Sequence, residues 1–207
     1  MEYVDGWVDG WTRSRETARP EPVDGGWYVA TGTNEEPGRF VLSDPSPERL
    51  AAILAGSRPP GTCVKLPGEP SEWLPRFGEG WEPIHDGCFM TRALGRPPGR
   101  RAPRGYEVKV EPAPTLVIAS VLAPEGNVVS SGRMGFGETY AVADQIVTDD
   151  RHRRLGLGTV VMAELERHAL EAGLERAVLG ATGDGQALYD RLGWDVGATL
   201  AGAVYRG

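Results

Sequence analysis

The segment from Thr139 to Gly173, TYAVADQIVTDDRHRRLGLGTVVMAELERHALEAG, constrains the fold more than any other part of the chain. Its first ten residues mix β-branched and apolar side chains in the manner of a buried strand. Leu157, Val161, Leu165 and Ala169 then recur at four-residue spacing, while Glu164, Glu166, Arg167 and Glu171 fall on other faces. That pattern specifies a one-sided helix that stops near Gly173. The order is strand, tight loop, helix. Gly156 and Gly158 let a ligand approach the backbone, the helix presents unpaired N–H groups at its positive end, and Arg153 and Arg154 add full charges. Such a loop suits an anion, above all a pyrophosphate. The competing reading is an ordinary helix entry with solvated arginines. Two better known phosphate loops do not fit: the chain has no Gly-Lys dipeptide, and Val161 stands where a dinucleotide fingerprint needs its third glycine.

Arg153-Arg154-Leu155-Gly156-Leu157-Gly158 has the form R-x-x-G-x-G, and ERAVLGATGDGQALYDRLGWDVGA (Glu175 to Ala198) adds a strand, a short helix carrying a tyrosine, and a Leu-Gly-aromatic turn. With both motifs in this order, the chain from Tyr106 to Gly207 resembles the GNAT superfamily of N-acetyltransferases. The resemblance implies an α/β (α+β) fold with a mixed, mostly antiparallel sheet flanked by helices, and acetyl-CoA as cosubstrate. It implies that Arg153, Arg154, Leu155, Gly156, Leu157, Gly158 and Thr159 hold the pyrophosphate. Ile146, Val147 and Thr148, at the end of the strand, would offer free backbone groups to the extended pantetheine arm. Tyr189 would protonate the departing thiolate; its other reading is a half-buried core aromatic beside Leu188 and Leu192. Thr182 stands where the family often has an asparagine near the coenzyme. The resemblance also implies acceptor-side helices, yet Tyr106 to Phe136 runs almost directly from strand to strand, so another part of the chain must cover the site.

The first half is the candidate for that cover. A chain of 207 residues with 40% hydrophobic content suffices for one large or two small domains. Residues 96–104, rich in Pro, Gly and Arg, read as a linker between a smaller N-terminal α/β subdomain (1–95) and the acetyltransferase domain (105–207). CVKLPGEPSEWLPRFGEGWEPIHDGCFMTR and AVLGATGDGQALYDRLGWDVGATLAGAVYR share a strand, a Gly-acidic turn, an aromatic-bearing short helix, a Gly-Trp pair and a closing strand. The first half therefore reads as a degenerate GNAT-like unit. SDPSPERLAAIL replaces the Arg-Gly loop and Trp73 replaces the tyrosine. It is expected to bind no coenzyme and to wall the acceptor site; an independent partner-binding module is the rival.

Net charge is −7, and the one basic cluster, Arg151 to Arg154, is already assigned to phosphate, which excludes a nucleic-acid footprint. Asp5 and Asp9 interrupt any signal-peptide run, and no stretch approaches the ~20 apolar residues of a membrane span, so a cytoplasmic protein with no membrane partner is expected. Cys63 and Cys88 form no C-x-x-C pair, and His85, His152 and His168 lack ligand spacing, so no metal is expected. Homodimerisation is left open. An acidic chain suits a small-molecule or peptide amine as acceptor. A deprotonated amine must form there, and Asp144, Glu138 or His152 could take its proton; for both carboxylates an ordinary solvated strand charge is the bland alternative. The other function is a coenzyme-binding sensor or structural subunit without chemistry, for which Tyr189 would be superfluous.

Overall fold

A computed structural model of the protein describes residues 1–84, 87–95 and 99–207, apart from the side chain of Asp184. His85 and residues 96–98 of the expected linker lie outside them, and residues 99–103 form neither helix nor strand. Helix α1 (Glu2–Arg15) leads into β1 (Glu21–Val23), β2 (Gly26–Ala30), β3 (Gly38–Leu42), helix α2 (Pro47–Ala55), β4 (Cys63–Pro67), the short helix α3 (Pro70–Trp73), β5 (Trp81–Pro83) and β6 (Gly87–Ala93). The second half runs β7 (Glu107–Pro112), β8 (Leu116–Leu122), β9 (Val128–Phe136), β10 (Ala141–Thr148), α4 (Leu157–Glu171), β11 (Arg176–Thr182), α5 (Gly183–Arg191) and β12 (Asp195–Tyr205). Local chemistry sets the helix ends. Ser46 caps α2 by accepting from the Arg49 N–H at 3.2 Å, with Pro47 in its first turn. Gly173 closes α4 at φ 86°, a left-handed conformation that a side chain would strain.

Among the described residues the strands form one sheet in the order β1-β2-β3-β4-β12-β6-β11-β10-β9-β8-β7, with β5 also on β12. The fold is mixed and mostly antiparallel, with helices on both faces. Its two parallel pairings are β3 with β4, joined through α2, and β10 with β11, joined through α4. The closing strands are exchanged: β6 of the first half lies against β11, β12 of the second half lies against β4, and the two pair with each other at the centre. The sheet is therefore continuous across the expected linker.

On one face α4 buries Leu157, Val161, Met162 and Leu165 in a core shared with Val117, Ala119, Met134 and Ala143. On the other face α1 inserts Val4, Trp7, Val8 and Trp11 among Val29, Val41, Phe89, Val142, Val178 and Leu200, which come from six different strands. The sheet curls around this helix. Trp7 and Trp11 stack at 5.6 Å and each leaves about a twentieth of its surface exposed; burial on this scale stabilises by about 4–6 kcal/mol per ring. The opposite stripe of α1 carries Gly6, Gly10 and Ser14, which let the helix lie directly on the sheet. A Cβ on Gly6 would strike the Tyr140 ring, and one on Gly10 would strike Val142. α1 thus covers the face that the second half leaves without helices of its own.

Candidate functional site

β10 and β11 pair in parallel only at Ala141–Ala177, Val142–Val178 and Ala143–Leu179. Beyond that point each strand continues without the other. β10 stays with β9 through Val147–Ser131 and Thr148–Ser130, while β11 stays with β6 through Gly180–Phe89, Ala181–Cys88 and Thr182–Gly87. The two strands diverge, and their facing edges carry backbone groups with no ladder partner. A bulge between Asp144 and Val147, with Gln145 at φ 53°, marks the start of the divergence. The bulge also resets the alternation of side chains. Ala143 and Ile146, three residues apart, both face the α4-side core, which leaves Asp144 on the α1 face. Val147 is exposed, and the Thr148 hydroxyl lies 2.9 Å from the Ser130 hydroxyl.

The loop follows directly. Asp149 caps a single 3₁₀ turn, Asp150–His152, and Arg154 and Gly156 both take left-handed conformations (φ 64° and 77°). The first bond of α4 runs from the Val160 N–H to the Gly156 carbonyl, so the N–H groups of Leu157, Gly158 and Thr159 stay outside the helical ladder. Gly156 faces open space, whereas a Cβ on Gly158 would sit 3.3 Å from Leu188. Arg153 pairs with Asp150 at 2.8 Å; Arg154 and Leu155 are exposed. Leu157 is buried and offers the loop only its backbone. Thr182, exposed, stands at the N-cap position of α5 across the gap without a side-chain hydrogen bond to the helix. Open N–H groups at a helix start, the neighbouring guanidinium groups of Arg153 and Arg154 and two diverging strand edges fit an elongated ligand with a pyrophosphate at one end and amides along its length.

Tyr189 packs in the α4-side core against Trp194, at 6.0 Å between ring centres, and Gly185 leaves room for its ring edge at 3.3 Å. Burial, reinforced by the negative charge of Asp144, pushes its hydroxyl up to about 12, so it carries its proton at neutral pH. Tyr189 and Asp144 are thus brought within electrostatic reach of each other across the divergence. Asp144 accepts from the Ser14 hydroxyl at 3.1 Å and from two nitrogens of Arg15, one of them at 3.1 Å. A carboxylate has about four lone-pair sites, and three donors leave one for a ligand. Glu138 is elsewhere: it is exposed before β10 begins, its N–H bound to Asp9, and six residues of strand place it about 20 Å from Asp144. His152 bonds the Tyr106 hydroxyl at 2.9 Å on the outer side of the loop.

Arg15, Ser14, Arg39 and Lys65 escape sequence reasoning because they come to Asp144 from the first half of the chain. Arg39 on β3 lies over the Trp11 ring at 4.4 Å and is held by Glu36 at 2.6 and 2.8 Å. A second unforeseen feature is a cleft of about 100 Å³ beside the first turns of α4, where Arg92, Arg100, Thr159 and Arg191 gather. A larger cleft of about 300 Å³, lined by Val23, Phe40, Arg49 and Ile53, lies by α2, away from the divergent strands.

The chain matches the acetyltransferase (GNAT) family over residues 84–194, a span that begins just before the exchanged strand β6. No curated protein matches it. Among solved structures it is similar along its whole length to a GCN5-related N-acetyltransferase from Kribbella flavida, with TM-score 0.72, 16% identity and 95% of that chain covered. It is similar over 88% of its length to a GCN5-related N-acetyltransferase from Sphaerobacter thermophilus (TM-score 0.59, 11% identity, 78% of that chain). It also resembles, over 69% of its length, a tandem GNAT protein from the clavulanic acid biosynthesis pathway solved without AcCoA (TM-score 0.54, 13% identity, 63% of that chain). These likenesses carry the fold. The family match covers more than half of the residues and includes both the loop and the tyrosine helix, so the chain belongs to the GNAT family of N-acetyltransferases, which use acetyl-CoA as cosubstrate.

Proposed function

We propose that the protein transfers the acetyl group of acetyl-CoA to a primary amine by direct attack in a ternary complex. The observation that carries this reading is the end of β10–β11 pairing at Ala143–Leu179, with Tyr189 on one side of the gap and Asp144 on the other. The pantetheine amides lie along the free edge of Ile146, Val147 and Thr148, and the pyrophosphate lies on the N–H groups of Leu157, Gly158 and Thr159, with Arg153 and Arg154 beside them. The acceptor approaches from the α1 face. Its ammonium must lose a proton before nitrogen can attack the thioester carbon, and the remaining lone-pair site of Asp144 holds that nitrogen and relays the proton to water. Unpaired N–H groups at the bulge meet the charge that builds on the carbonyl oxygen. As the carbon–sulfur bond breaks, Tyr189 gives its proton to the thiolate. An acyl-enzyme is not needed: Cys63 and Cys88 are both buried, and burial pushes both thiols up, away from the reactive thiolate.

The first half, in this reading, is a degenerate GNAT-like unit that serves as the wall of the acceptor site. Its own helix entry at α2 is capped by Ser46 and has no glycine loop, so it holds no second coenzyme. The test is thiol release from acetyl-CoA over an amine panel, with Tyr189→Phe and Asp144→Asn alongside. General acid or base catalysis is worth about 10² to 10⁴ in rate. Turnover should fall toward the lower end of that range while calorimetric affinity for acetyl-CoA holds, since a group used only in the transition state lowers kcat and kcat/KM together. Parent-like turnover in Tyr189→Phe would return that residue to the core and remove it from the chemistry.

A further inference from the structure

The concave face around α1 is positive, although the chain as a whole carries −7. Asp144, Cys63, Lys65 and Arg39 all lie on this face: β3 and β4 pair at Arg39–Cys63 and Val41–Lys65, and Val41 belongs to the α1-side core. Arg39 is nine-tenths buried, stacked on Trp11, and fully engaged with Glu36. Lys65, partly buried next to it, makes no hydrogen bond or ion pair among the described residues, and the groups acting on it are Arg39, the Cys63 thiol, Glu36 and Asp144. Both carboxylates are already taken, Glu36 by Arg39 and Asp144 by Arg15 and Ser14. Arg133, opposite Asp144 in the ladder, adds a cation that donates to the Ser14 carbonyl at 2.6 Å and has no ion pair among the described residues. With Asp5, which accepts from the Trp27 indole N–H at 2.7 Å, three carboxylates on this face meet four cations. A desolvated ammonium beside a guanidinium is costly, and an arrangement of this kind is stable in use when an anion joins it.

We propose that Lys65, supported by Arg39, receives an acid group of the acceptor, so that the substrate is an amine that also carries a carboxylate. The proposal rests on the acetyl-transfer reading above and names the substrate class of that site. The sheet curls around α1, so the distance from Asp144 to the β3–β4 cations is of the order of a helix diameter, roughly 10 Å. That span fits an amine and an acid separated by several bonds, as in an ω-amino acid or a dipeptide, better than the adjacent groups of an α-amino acid. The carboxylate lies against the Lys65 ammonium, with the positive charge of Arg39 behind it, and the amine reaches Asp144 below the thioester.

The experiment uses matched pairs: ω-amino acids from β-alanine to 6-aminohexanoate and simple dipeptides, each against its carboxamide, with thiol release as the readout. An anion held by a charged donor is worth about tenfold or more in binding. The acids should exceed their carboxamides in kcat/KM by at least that factor. Lys65→Met should raise KM for the acids about tenfold, leave the carboxamides unchanged, and be partly rescued by Lys65→Arg. Equal use of acids and amides overturns the proposal. So does a Lys65→Met variant that loses kcat on every amine together with the alkaline limb of the pH profile, since Lys65 would then be handling the proton. If no pair turns over, the same pairs are read by thermal shift on the CoA-saturated protein, where lack of preference for the acid also overturns it. Calorimetry with acetyl-CoA separates the two readings. Lost coenzyme binding sinks the acetyl-transfer reading, whereas intact binding without acid preference sinks only the carboxylate.

Discussion

Replacing Lys65 with methionine should stabilise the protein, and the pH dependence of the gain can be worked out beforehand. Burial, then the neighbouring Arg39, pulls the Lys65 ammonium down from 10.5 to about 8. Between pH 8 and 10.5 the unfolded chain binds more protons at this residue than the folded one, so stability rises with pH across that window, and the full cost is present below it. A shift of about 2.5 units at about 1.36 kcal/mol each puts that cost near 3 kcal/mol at pH 7, as an upper value because the side chain keeps some contact with water. By pH 10 it should shrink to about 1 kcal/mol. Methionine has a similar length and no charge to desolvate. Urea unfolding of parent and Lys65→Met at both pH values isolates this residue, because the other titrating groups are common to the two proteins. The variant should be more stable by up to about 3 kcal/mol at pH 7, and most of the difference should vanish at pH 10. A variant that is less stable, or a difference that does not change with pH, would refute the desolvation argument. A gain of the expected size would mean that a destabilising cation is kept on the acceptor face, the pattern of a residue retained for function.

Arg154→Ala should weaken acetyl-CoA binding by calorimetry at least several-fold with little change in melting temperature, because the side chain is exposed, whereas Gly156→Asp should weaken binding through its added negative charge and also lower the melting temperature modestly, because the position is held at φ 77°. Gly10→Leu should cost several kcal/mol in urea unfolding, since the new side chain would meet Val142 and the Gly135 carbonyl; parent-like stability would show that α1 can lift from the sheet. A fragment of residues 105–207 should be poorly soluble by gel filtration, because it would expose the edge of β11 and the apolar face under α1; a folded, active fragment would make the halves independent.

The loop proposed to hold the coenzyme was legible as a structural feature because its chemistry is local. Strand, arginines, glycines and helix lie within thirty-five consecutive residues, and the two left-handed positions at Arg154 and Gly156 are properties of the loop itself. Tyr189 was legible through its spacing from that loop. The partners of Asp144 were not legible, because Asp144 meets Arg15 across 129 positions of sequence. No period or motif announces an ion pair of that range. Glu138 shows the converse: nearness in sequence to Asp144 is distance in a strand, where six residues span about 20 Å. The strand exchange was hidden for a different reason. β6 and β12 carry matching patterns, and each could be assigned to its own half without violating any local rule; only pairing with β11 and β4 distinguishes them.

That exchange also explains how the first half can lack a coenzyme loop and still be indispensable to the geometry. The gap that admits an extended ligand exists because β11 leaves β10 after Leu179, and what holds β11 in its new direction is β6, through Gly180–Phe89, Ala181–Cys88 and Thr182–Gly87. The buried Glu166 on α4, paired with Arg92 at the other end of β6, ties that strand to the helix behind the loop. One wall of the opening is therefore positioned by residues from the first half, while the opposite wall, β10, is held by β9 and covered by α1. On the proposed reading, a first half without an Arg-Gly loop lacks only a ligand contact. Loss of its closing strand would leave Gly180 to Thr182 without a ladder partner, and the divergence with nothing to fix its width.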